Sequence, residues 1–144
     1  MSEVACSIEI DAPPTKVWSI VMDATRLHEW VTIHRTLESH DEAHMNQVLC
    51  LRGVNFHVKW ELEEQRRPKH AKWKGKGPAR SHAETEYRLT ETPAGGTRFD
   101  YRNEFTAPLG PLGAAASRAL VGGQPEREAA ASLHRLKALC ERDA

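Results

Sequence analysis

The chain has 144 residues, 40% of them hydrophobic, with 20 Lys and Arg balanced by 20 Asp and Glu and a pI near 7.1. That is one domain (1–144) with a lean core of 27 Leu, Ile, Val and Phe; its balanced charge argues against a dedicated nucleic-acid binder, and its balanced charge and clear patterning argue against a disordered chain. No apolar run approaches the roughly 18 residues of a membrane span, and the opening MSEVACSIEI has no basic region followed by an apolar one.

Residues 3–11 alternate, with Val4, Cys6, Ile8 and Ile10 on one face and Ser7 and Glu9 on the other, which predicts a half-buried strand. Pro13 and Pro14 end it, because neither can donate to a ladder, and they open a helix striped by Val17, Trp18, Ile20 and Val21. A second short helix after Asp23 or Thr25 carries Leu27 and Trp30. From 36 to 106 the pattern is extended, and strands are predicted over 36–42, 46–53, 54–65, 69–77, 80–91 and 96–106. The clearest alternations are Phe56, Val58, Trp60 and Leu62, then Ser81, Ala83, Thr85, Tyr87 and Leu89, then Thr97, Phe99, Tyr101, Asn103 and Phe105. Each leaves a charged face opposite, as in an antiparallel sheet with one side wet. Thr92-Pro-Ala-Gly-Gly96 marks a turn. Ala129, Leu133, Leu136 and Cys140 form the stripe of a terminal helix, with a break or kink expected at Gly122-Gly-Gln-Pro125. The fold class is α+β: one strand, two short helices, six strands and a terminal helix. A bent antiparallel seven-stranded sheet wrapping that helix buries these faces economically.

Several motifs carry bland readings. His40-Asp-Glu-Ala-His44 superficially looks like a zinc motif, but its glutamate is misplaced and it falls at a strand-to-strand turn, so no metal is expected. Seven bases between Arg66 and Arg80 surround Trp73, yet Lys72, Lys74 and Lys76 alternate as an exposed strand face does, with Glu61, Glu63, Glu84 and Glu86 on neighbouring strands. Cys6, Cys50 and Cys140 are odd in number and far apart, as reduced core cysteines of a cytoplasmic protein are. No nucleophile elbow, dinucleotide fingerprint or C-x-x-C pair is present, so no nucleotide or metal cofactor is expected. The inward strand faces mix apolar groups with Ser81, Thr85, Tyr87, Tyr101 and Asn103, and the stretch from Leu112 to Ser117 is built of small side chains. Both features suit a pocket, which uses a few polar groups to orient its guest.

The opening strand ending in Asp11-Ala-Pro-Pro, Val17-Trp18 behind it, and the stretch Ala24-Thr-Arg-Leu-His-Glu-Trp30-Val-Thr-Ile-His34 carry a resemblance. The chain resembles the START/Bet v1-like superfamily, the helix-grip fold of polyketide cyclase/dehydrase-type proteins, over essentially its whole length. Leu27-His-Glu-Trp-Val-Thr-Ile-His34 is further similar to a mycobacterial subgroup that includes a type II toxin of this fold. The resemblance implies an internal cavity between sheet and terminal helix, with Trp30 and His34 at its mouth. A small hydrophobic or polycyclic ligand would meet Trp30, Phe56, Trp60, Tyr87, Phe99, Tyr101, Leu112 and Ala116, with His34, Ser81, Thr85 and Asn103 as polar anchors. Two alternatives follow from the same resemblance. One is a cyclase or aromatase using His34, Tyr87 or Tyr101 as proton donors. The other is a toxin-like regulator whose partner is an antitoxin-like protein.

Overall fold

The computed structural model describes residues 2–51, 53–106 and 124–142. Strand β1 (Ser2–Ile10) leads into helix α1 (Pro14–Val21), a 3-10 turn (Ala24–Arg26) and the single turn α2 (Leu27–Trp30). Six strands follow: β2 (His34–His40), β3 (His44–Leu51), β4 (Val54–Arg66), β5 (His70–Lys76), β6 (His82–Glu91) and β7 (Thr97–Thr106). Helix α3 (Gln124–Arg142) closes the described chain. Among the described residues the seven strands form one antiparallel sheet in the order β1-β7-β6-β5-β4-β3-β2. Every sequential pair from β2 to β7 is a hairpin neighbour, and β1 joins the far edge through β7.

Local chemistry explains the boundaries. Pro14 occupies the first turn of α1, where its missing N–H costs nothing. Asp23 caps the next turn, its carboxylate accepting from the Thr25 amide at 3.0 Å. Between β6 and β7 the Thr92 hydroxyl accepts from the Gly96 amide at 3.0 Å, and Gly95 takes φ +86°, which a side chain would oppose. Gly122 and Gly123, where a break in the terminal helix is expected, lie outside the described residues, and Pro125 sits in the first turn of α3.

The solid part of the core lies at one end of the sheet. Val17, Trp18 and Ile20 of α1 and Leu133, Leu136, Leu139 and Cys140 of α3 pack with Ile10, Leu89 and Phe99. The Asp11 amide donates to Glu141 at 2.8 Å and Lys137 donates to the Glu9 carbonyl at 2.9 Å, which ties the end of β1 to α3. Toward the other end the helices give less cover, and a second cluster forms around Leu51, Phe56, Val58 and Trp60.

On the opposite face two lysines of the basic run are paired with acids across the ladder. Lys72 lies 3.3 Å from Glu84 and 3.8 Å from Glu63, and Lys74 lies 3.0 Å from Glu63. The Lys72 ammonium is held above its ordinary pKa chiefly by its hydrogen bond to Glu84. Trp73 points to the other side and is half-buried there, packed against both core clusters.

Candidate functional site

A concave space of about 720 Å³ lies between α2, α3 and the inner face of the sheet. Its walls are mostly apolar, with Trp30, Met45, Leu49, Trp73 and Leu133 prominent among them. Of the residues singled out from the sequence, Trp30, Phe56, Trp60, Ser81, Thr85, Tyr87, Tyr101 and Asn103 line this space. Strand periodicity brings most of them together: the inward residues of β6 and β7 stand opposite one another as the pairs Tyr87 and Tyr101, Thr85 and Asn103.

Two expected contacts sit elsewhere. Phe99 is fully buried behind the space, edge-on to Trp30 at 6.3 Å and tilted on Tyr87 at 5.4 Å, and does not line it. His34 is the first residue of β2 rather than part of the preceding loop, and it too is outside the lining. Trp30 is only 1% exposed, so it plugs the interior under α2 while one side faces the space. Leu112 and Ala116 lie outside the described residues.

One buried polar group of the wall, on β3, is not among the residues singled out from the sequence. Gln47, 3% exposed, accepts a 2.9 Å hydrogen bond from the Trp60 indole N–H, and its amide nitrogen donates to His34 Nδ1 at 2.7 Å. That donation requires an unprotonated Nδ1. The imidazole is correspondingly held below its ordinary pKa, first by burial and then by the charge of His28. The signal for Gln47 was present, because Met45, Gln47, Leu49 and Leu51 share one face of β3. At the helix side, the Thr32 amide donates to the Ser132 hydroxyl at 3.0 Å, and the Thr32 hydroxyl donates to the Glu128 carboxylate. Both partners lie on α3 and line the space.

The β6–β7 wall has a different character. Thr85 donates to Asn103 Oδ1 at 2.8 Å, whereas the hydroxyls of Tyr87 and Tyr101 have no hydrogen-bond partner among the described residues. Burial pushes the Tyr101 phenol up to about 12, with the neighbouring Cys6 adding to it, and pushes Tyr87 higher still. Near neutral pH both therefore keep their protons. Ser81, 2% exposed and immediately before β6, has a buried hydroxyl with no partner among the described residues.

Comparison with known proteins places this architecture. The chain belongs to the family described as polyketide cyclase / dehydrase and lipid transport, whose model matches residues 1–141. It is similar to Toxin Rv0910 of Mycobacterium tuberculosis, with 24% identity over 127 residues, 83% of this chain and 88% of that one. It is also similar to the uncharacterized protein Rv1546 of the same organism, with 28% identity over 133 residues, 85% of this chain and 90% of that one. Among solved structures it resembles the Zhui aromatase/cyclase from Streptomyces, with a TM-score of 0.76, 17% identity, and coverage of 98% of this chain and 94% of the other. The seven-stranded bent sheet with its terminal helix is the helix-grip fold, so the fold and family expected from the sequence are those found.

Proposed function

We propose that the protein binds a small hydrophobic or polycyclic molecule in the space between the sheet and α3. The carrying observation is the composition of that space: about 720 Å³ walled mostly by aromatic and aliphatic side chains, with polar groups from the strands, the turns and α3 among them. Polar groups with unspent hydrogen bonds are costly in a sealed core, but a pocket uses them to orient a guest. Tyr87 and Tyr101 suit holding better than proton transfer, because phenols pushed this far up neither ionise nor pass a proton readily near pH 7. The test is native mass spectrometry of freshly purified protein, followed by organic extraction and a thermal-shift panel of lipophiles. A bound lipophile, or a rise in Tm on the order of 5 °C at a hundredfold excess over Kd, is expected. A clean apo mass with no shift across the panel would overturn the reading.

A second reading is favoured by the similarity to Toxin Rv0910. On that reading this chain acts on growth through a macromolecular target and is held in check by an antitoxin-like protein. Induced expression without any partner is the test: unchanged growth rate sinks this reading and leaves the first untouched.

A further inference from the structure

Resting on the ligand-binding reading, we propose that Tyr87, Tyr101 and Asn103 form a hydrogen-bond-donating row on the β6–β7 wall that selects ligands bearing an uncharged acceptor oxygen, as in a ketone, quinone or ester.

The row follows from register. Tyr87 stands opposite Tyr101, their rings 6.2 Å apart, and Thr85 stands opposite Asn103 one inward step along the same two strands. One inward step is about 7 Å, so the two phenols and the amide fall within the length of a fused-ring molecule. Asn103 spends its acceptor on Thr85 and keeps both N–H donors of Nδ2. Each phenol keeps its O–H, and a phenol donates more strongly than it accepts because its lone pairs are delocalised into the ring. Since burial holds both phenols protonated, the row stays donating across the whole physiological range. The unspent capacity of this wall is therefore biased toward receiving an acceptor.

Charge then discriminates among acceptors. The inward residues of β6 and β7 from Ala83 to Leu89 and from Thr97 to Phe105 include no lysine, arginine or histidine. The ionisable groups that do line the space come from turns (such as Asp23, Asp41 and Arg67), from strand ends (His40, His44, His82) or from α3 (Glu128), and none of them is an inward neighbour of Tyr101 on β6 or β7. A carboxylate placed against Tyr101 would lose its hydration without gaining a cation, whereas a carbonyl loses little and gains the donors.

Three probes sharing one tricyclic skeleton test this: fluorene, fluorenone and fluorene-9-carboxylate, titrated by calorimetry into the full chain. Fluorenone is expected to bind roughly fivefold or more tightly than either of the others, the worth of one neutral hydrogen bond. Tyr101→Phe keeps the ring and removes only the hydroxyl, so it should lower fluorenone affinity by a similar factor and leave fluorene unchanged. Asn103→Asp preserves the acceptor for Thr85 and converts the free donor into a carboxylate oxygen, and should erase the preference. Equal binding of fluorene and fluorenone, or tightest binding of the carboxylate, overturns the donor row while leaving the pocket standing. No binding by any of the three overturns the pocket and the row together.

Discussion

The Trp60 indole N–H and the Gln47 side-chain oxygen meet at 2.9 Å across the β3–β4 pair, inside a wall that is otherwise apolar. Trp60 is 8% exposed and Gln47 3%, so both are largely withdrawn from bulk water. Removing one side of such a bond leaves the full desolvation penalty on the other. Gln47→Leu should therefore destabilise the protein by about 1–3 kcal/mol, read as a lower urea midpoint at unchanged slope. Trp60→Phe combined with Gln47→Leu should cost less than the sum of the single changes, since the double variant removes both ends of the indole–amide bond and orphans neither. Additive costs would show that the two groups do not act as a pair.

Gln47 also fixes the state of His34. Its amide nitrogen donates to Nδ1, which can accept only while unprotonated, and burial and His28 hold the imidazole below its ordinary 6.5. The unfolded chain takes up a proton near 6.5 while the folded protein resists it. The stability from His34 is thus complete above 6.5 and lost as the pH falls through the folded value. Urea midpoints of the native protein should decline below pH 6.5, and His34→Asn, which offers an acceptor that does not titrate, should flatten that decline. An identical slope in the variant would remove His34 from the account.

What the sequence disclosed about this protein follows the strength of its periodicities. β6 and β7 are legible because Ser81 to Leu89 and Thr97 to Phe105 keep an unbroken two-residue alternation, and the observed pairing joins those same faces. The start of β2 is obscured by register shifts between His34 and Thr36 and between Leu37 and Ser39, which break the alternation and hide the first residue of the strand. Alternation also gives a face without giving depth. Phe99 and Tyr101 share an inward face, but Phe99 lies under α1 and α3 while Tyr101 faces the open space. Gln47 escaped because a glutamine on a strand suggests an outward position until its neighbours Met45 and Leu49 are counted.

The approach of β4 to β5 depends on Gly75. A Cβ there would lie 2.8 Å from Trp60 Cε3 and Cζ3 and equally close to Val58 Cγ1, so the Trp60 ring occupies the volume that a side chain on β5 would need. Trp60 is directly opposite Gly75 in the register and lines the space. Gly75→Ala should push the indole inward and cost about 1–3 kcal/mol through overpacking. Because the displaced ring narrows the space, bound probe should be lost as well. Tryptophan emission should shift relative to the native protein, and an unchanged spectrum with unchanged stability would show that the ring simply slides aside.

The last contact joins the two walls of the space. Thr32, in the turn between α2 and β2, offers its amide to Ser132 at 3.0 Å and its hydroxyl to Glu128, so one loop residue is held by two positions a turn apart on α3. Ser132 is 7% exposed and lines the space, which puts this clasp at the junction of helix and loop rather than on open surface. Ser132→Ala would leave the Thr32 amide without its acceptor in a part-buried position, at a cost of about 1–2 kcal/mol. If the clasp holds the space closed around a guest, the variant should also release a bound probe faster, with the dissociation rate rising more than the association rate. Stopped-flow displacement measures both. A stability loss with an unchanged dissociation rate would make the clasp a structural tie between α3 and β2 with no part in retaining ligand.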